Sequence, residues 1–251
     1  MVETTTLETI RRNIHEFGCH VYIVTGITVP RFAYTVGLRE SLGIELVMAG
    51  GIYYNADEVR EILESARCHL KRGASSEQPM STEKLGVFSF RRIHSSWSEQ
   101  LLLGARDYYG TTDVEALQLV PDQEHWTIDI PNLAVPWNAQ VEPAWQWLRE
   151  PRVFPVSRRS TVTTNLDALR GKRVTEVTRW EDDEWEMFAG AGPDVQFSEA
   201  RVVPLGSMVA IDPTLQRAFD LQLGAGLWRD GEEGEWNKWE AGSASRSDVS
   251  Q

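Results

Sequence analysis

Five histidines and two cysteines are spread along the 251 residues, and these are the side chains best suited to move protons or hold metal near neutral pH. His20 and His94 fall in or just after β-rich stretches, so a sheet can bring them together, with His125 arriving from a loop. No H-x-x-x-H or C-x-x-C spacing links them, so neither a metal nor another cofactor is expected, and structural roles are the simpler reading. His15 lies on the polar side of a helix, and His69 directly follows Cys68, which turns the two to different sides of theirs. Cys19 beside His20 would make a nucleophile and base only if a cation or helix N-terminus lowered the thiol pKa, and the neighbouring sequence offers neither. A small buried hydrophobe is the plainer role for Cys19.

The catalytic alternative is a set in the first half of the chain: His20, Tyr34, Thr35, Glu45, His94 and Asp122. Carboxylate, imidazole and phenol exchange protons when a pocket shifts their pKa values, which would suit a hydrolase, a metal-dependent enzyme or a small-molecule site at the strand ends. Phosphate chemistry is not supported. Gly50 and Gly51 lack the lysine and hydroxyl of a P-loop, and "GLWRDGEEGEW" is ringed by acids that repel phosphate.

Ten tryptophans and a net charge of −12 point elsewhere. So acidic a chain is a poor partner for a nucleic-acid backbone, whose binding depends on Lys and Arg, and a good one for a basic protein. The charge is concentrated: residues 151–178 carry six Lys or Arg against two acids, and 179–240 carry five against fourteen. Tryptophan fills cores and also anchors interfaces. A candidate binding set therefore gathers in the second half: Trp185, Trp228, Arg229, Glu232, Glu233, Glu235, Trp236 and Trp239.

Positioning these groups requires an α+β fold with a mixed or antiparallel sheet flanked by helices, and a second, smaller α+β module. Leu7, Ile10, Ile14 and Phe17 recur at helical spacing before Gly18, while "CHVYIVTGI", "RFAYTVGL" and "GIELVMAGG" read as strands. Residues 55–73 carry the strongest helix signals: Asn55 and Glu58 as a capping box, Val59, Ile62, Leu63, Ala66 and Leu70 on one face, and Gly73 at the end. Within "FAYTVGL", alternation puts Phe32, Tyr34 and Val36 on one side, expected against that helix, and Thr35 on the other, so Tyr34 and Thr35 cannot share a pocket. "GASSEQPMSTEK" reads as a polar loop, "GVFSFRRI" as a strand, "SEQLLLGARDYYG" as one helix and "VEALQLVPD" as a strand. Prolines then interrupt regular structure and place a domain end at residue 148, a linker over 149–172, the smaller module over 173–240 and a disordered tail over 241–251. In the smaller module, "KRVTEVTRWEDDEWEMFAG" reads as two strands around an acidic turn, and "ARVVPLGSMVAIDPTLQRAFDL" as a strand followed by helix.

Taken together, "GCHVYIVTG", "PRFAYTVGL", "IELVMAGG" and "ALQLVPDQEHWTIDIPNLAVPWN" resemble the bacterial domain-of-unknown-function family 4262 over residues 7–140. Tyr34, Thr35, Gly37, Leu38, Glu45, Leu46, Gly50, Gln118, Pro121, Asp122, Pro136 and Trp137 carry the match. Members often have His-Pro before the glutamate, where this chain has Gly43-Ile44, so a histidine that served catalysis in relatives would be missing. The resemblance implies an α+β domain and no particular activity. From "WEMFAG" onward, Trp185, Phe188, Gly190, Asp212, Pro213, Leu215, Arg229 and Trp236 are similar to C-terminal modules of polymorphic-toxin immunity families. The YT-x-GL and Glu45-Leu46 pairing also resembles suppressor-of-fused-like domains, which bind proteins. These likenesses imply a bacterial protein that works by binding another macromolecule, such as an immunity-type inhibitor of a basic toxin. With no secretory layout in "MVETTTLETIRRN" and no apolar run near the roughly 20 residues of a membrane span, a cytoplasmic location is expected and membrane association is not. The oligomeric state and the question of catalysis are left open.

Overall fold

The computed structural model describes residues 2–149 and 155–240, and the chain divides into two compact units, Met1–Pro151 and Arg152–Gln251. Both are α+β units built on mixed six-stranded sheets.

In the first unit, α1 (Val2–Phe17) leads into β1 (His20–Val24), β2 (Phe32–Val36), the short α2 (Arg39–Leu42), β3 (Glu45–Ala49) and α3 (Ala56–Lys71). Then come β4 (Met80–Thr82), β5 (Gly86–Arg92), α4 (Ser95–Leu101), α5 (Leu103–Tyr109), β6 (Ala116–Pro121) and a 3₁₀ turn at Pro143–Leu148. The strands lie in the order β1-β2-β3-β6-β5-β4, antiparallel except for the central β3–β6 pair. Helix α3 begins as its sequence dictates: Asn55 Oδ1 accepts from the amides of Asp57 and Glu58, and Glu58 accepts from the Asn55 amide. Such a cap contributes about 1 kcal/mol. Its face of Val59, Ile62, Leu63 and Ala66 is buried with Ala33, Leu46, Met48, Phe88 and Leu117 of the sheet.

That packing reverses the expected orientation of β2. Ala33, the small residue, turns to α3. Phe32 and Tyr34 turn away from it: Phe32 meets Trp145 at 6.3 Å, Tyr34 stacks on Tyr22 at 5.2 Å, and the Tyr34 hydroxyl accepts from Gly104 N at 3.0 Å. Small side chains let a helix sit close to a sheet, whereas rings need a layer that interleaves with them, here the indoles of Trp97 and Trp145. All five β2 residues are buried, so alternation alone could not say which face meets which layer. The single helix expected over "SEQLLLGARDYYG" is two, hinged at Leu102 (φ −95°, ψ 37°). The "polar loop" contains β4, whose Met80 is 3 % exposed and joins the core.

The second unit runs β7 (Thr161–Asn165), α6 (Leu166–Leu169), β8 (Glu176–Arg179), β9 (Glu184–Phe188), β10 (Ala200–Pro204), α7 (Leu205–Ile211), a 3₁₀ helix (Pro213–Asp220), β11 (Ala225–Trp228) and β12 (Asn237–Glu240). Its order is β10-β7-β9-β8-β11-β12, with β7–β9 the parallel pair. Strand β7 lies inside the stretch expected to be linker, 149–172. "STVTTN" is polar, yet it pairs on both sides and buries Val162 and Thr164 at 0 % exposure, so tertiary pairing overrides its unremarkable composition. Residues 241–251, expected as a tail, lie outside the described residues.

Candidate functional site

The six groups of the catalytic alternative go to five separate places. Thr35 and Glu45 meet in the first-unit core, where both are 0 % exposed. The Glu45 carboxylate accepts from Thr35 Oγ1 at 2.6 Å, Gly37 N at 3.0 Å, Arg39 N at 3.0 Å and Tyr109 Oη at 2.5 Å. Thr35 Oγ1 in turn accepts from Leu46 N at 2.9 Å, and Tyr109 Oη from Gly37 N at 2.7 Å. Gly37 is needed at its position: φ is 107°, and a Cβ there would lie 2.7 Å from Ile14 Cγ1. Burial raises the Glu45 carboxyl above its usual range, against the donors from Thr35, Tyr109, Arg39 N and Gly37 N. Burial likewise pushes the Tyr109 phenol up, helped by Glu45. With its oxygens enclosed by the fold's own donors, Glu45 pins β2, β3 and α5 together, and nothing is left for a substrate.

Tyr34 is held on another face by Gly104 N, its phenol raised to about 12, first by burial. His94 caps α4, Nδ1 accepting from Ser96 N at 3.2 Å. His20 bonds Asn13 at 2.9 Å, and burial, with Arg60, lowers its pKa. Asp122 pairs with His125 at 2.7 Å and accepts from Val87 N at 2.7 Å. Burial pushes Asp122 upward, but the bonds from His125 and Val87 prevail and its carboxyl sits below the usual value. Tyr109 is the partner the sequence reading missed, and His125, read there as joining His20 and His94 from a loop, bonds Asp122. Cys19 is buried, and burial raises its thiol to about 11, so it is protonated at neutral pH. Among the described residues, no three His, Cys, Asp or Glu side chains are grouped to hold a metal, and no helix is long and apolar enough to cross a membrane.

The binding set behaves differently. Five of its eight members, Arg229, Glu232, Glu233, Glu235 and Trp236, line one cleft of about 860 Å³ in the second unit. The β11–β12 connection carries them, folded over the N-terminal end of the Pro213–Asp220 helix. Arg229 is 6 % exposed: its Nε and Nη2 donate to Val174 O at 2.8 and 2.5 Å, Nη2 reaches Asp212 at 3.3 Å, and the guanidinium lies 4.3 Å from the Trp236 ring centre. This buried cation fixes the indole as one wall. The three glutamates are exposed, and their carboxylates have no hydrogen bond or ion pair among the described residues. Arg173 and Arg217 share the cleft, so its charge is mixed.

The other three are dispersed by strand alternation. Trp185 faces inward and is 1 % exposed, so it fills the core and is not available as an interface anchor. Trp228 and Trp239 lie on the opposite, outer face, where Trp228 is 41 % exposed. Register places Val202, Thr163, Glu186, Thr178, Gly226 and Trp239 side by side in one row across all six strands of that face. Glu186 was not singled out from sequence. Its signal was present in "DEWEMF", where apolar Trp185 and Met187 point in and the glutamates must point out.

No curated protein and no solved structure matches the chain. Residues 13–126, which contain the entire first sheet, match the model of the family described as Domain of unknown function (DUF4262), and to that family the first unit is similar.

Proposed function

We propose that the protein acts by binding a basic protein partner through its second unit, in the manner of an immunity-type inhibitor of a basic toxin. One observation carries this reading: Arg229, Glu232, Glu233, Glu235 and Trp236 converge on a single cleft whose three glutamates are exposed and unpaired. Residues 155–240 hold sixteen Asp and Glu against ten Lys and Arg, so the unit draws basic partners by long-range attraction. The cleft then supplies a fixed indole and complementary charge at contact. Glutamates left free at a rim mainly set association rate and salt dependence, which is the behaviour expected of a charge-steered binder. Catalysis loses support because its six groups are scattered and the only two that meet, Thr35 and Glu45, are sealed in the core.

The test is a titration of the full chain with a deca-arginine peptide at low and at physiological ionic strength. Replacing Glu232, Glu233 and Glu235 together by Gln weakens low-salt binding about tenfold and flattens the salt dependence. Unchanged affinity and unchanged salt slope in that variant would remove the reading.

A further inference from the structure

The outer face of the second sheet holds a second concavity, of about 590 Å³, which shares no residue with the cleft. Its floor is the row already described. Glu186 sits there half-buried between Thr163 and Thr178 on the neighbouring strands, and its side-chain carboxylate has no hydrogen bond or ion pair among the described residues. A carboxylate with no bond inside the chain keeps its acceptor oxygens available to an arriving cation.

The walls are aromatic. Trp180 is 49 % exposed and Phe197 96 % exposed, an unusual state for large apolar side chains that converge on one groove. Phe188 and Trp239 complete the lining. Residue 226, paired with Trp239, is glycine: a Cβ there would be 2.4 Å from the indole and 2.5 Å from Val177 O. Glu176 serves the architecture, accepting from Gly192 N at 2.9 Å and so tying to the sheet the segment that carries Phe197. Ring faces attract cations, and a nearby carboxylate supplies the counter-charge.

We infer that this groove is a subsite for one lysine or arginine side chain presented by the basic partner, with Glu186 as counter-ion and Trp180, Trp239 and Phe197 as its aromatic walls. The inference rests on the reading of the second unit as a binder of basic proteins and gives that reading a second contact point. A protein-borne side chain fits better than a free polyamine, because the groove opens on a broad face where Val202 and Trp228 are also exposed and can be covered by the partner's backbone and neighbouring residues.

The experiment follows the indole N–H resonances of Trp180 and Trp239 in the full chain during titration with Ac-Gly-Arg-Gly-NH₂, Ac-Gly-Lys-Gly-NH₂, Ac-Gly-Gln-Gly-NH₂ and spermidine. The Arg and Lys peptides shift both resonances and the Gln peptide does not. Glu186→Gln weakens the response about fivefold or more. The triple glutamate variant of the cleft leaves the tripeptide titration unchanged. Equal response to the Gln peptide, an unaltered response in Glu186→Gln, or a response to spermidine alone overturns the subsite. If the tripeptides fail while deca-arginine still binds through the cleft, only the subsite falls; if deca-arginine also fails, the reading of the whole unit falls with it.

Discussion

Glu45 and Glu186 are both strand glutamates in six-stranded mixed sheets, and they end in opposite chemical states. Around Glu45 the fold brings two hydroxyls and two backbone amides onto one carboxylate at 2.5 to 3.0 Å. Around Glu186 it brings threonines and rings, and its carboxylate makes no hydrogen bond among the described residues. A buried carboxylate whose bonds are closed within the chain is a fastening. One left half-buried and unpaired stores an unmet interaction that a partner can satisfy. The residue type is the same, and the difference lies in which neighbours the topology delivers.

The largest expected effect is at Glu45. Replacing it by Ala strips the acceptor from Thr35, Tyr109, Gly37 N and Arg39 N together, at a cost of about 3–5 kcal/mol. Loss of hydrogen-exchange protection in the β2 and β3 amides measures it; an unchanged pattern would erase the contrast with Glu186.

A sharper form uses pH. Glu45 has a folded pKa raised above its reference value of 4.5, so the fold prefers it protonated. Its contribution improves as pH falls through the folded pKa toward 4.5, and Glu45→Gln abolishes that dependence. Asp122 is lowered from 3.8 and has the reverse sign: the stability it gives is present above 3.8 and is lost as pH falls through its folded pKa. Asp122→Asn therefore costs up to about 1 kcal/mol at neutral pH, and the difference vanishes in acid. Urea unfolding of the two variants between pH 3 and pH 8 separates the windows. Identical pH profiles would contradict the assignment.

The smallest effect is at Glu186. Glu186→Gln alters unfolding stability by no more than about 0.5 kcal/mol, because no bond within the chain is lost. A large destabilisation would reveal an internal role and end the comparison.

Local signals were legible wherever short-range physics decides. The capping box at Asn55 and Glu58 starts α3 as read, and "EVTRWEDDEWEMF" forms two strands about an acidic turn. Legibility failed where both faces of a strand are covered. Phe32 and Tyr34 were set against α3, while the fold turned them to Trp145 and Tyr22. It failed again at "STVTTN", which looks like linker and is an interior strand. For the candidate site, the sequence marked the acids and tryptophans of the second unit but could not separate Trp185, sealed in the core, from Trp236, stacked on Arg229 in the cleft.

From the sequence alone came the α+β class, the principal helices and strands, the likeness to DUF4262 and the concentration of acid in the second half, because periodicity, capping and charge are properties of neighbours along the chain. Only the tertiary structure decided that Glu45 is closed and Glu186 open. Strand register and layer packing join residues distant in sequence, and whether a carboxylate is bonded within the chain or left free depends on those joins.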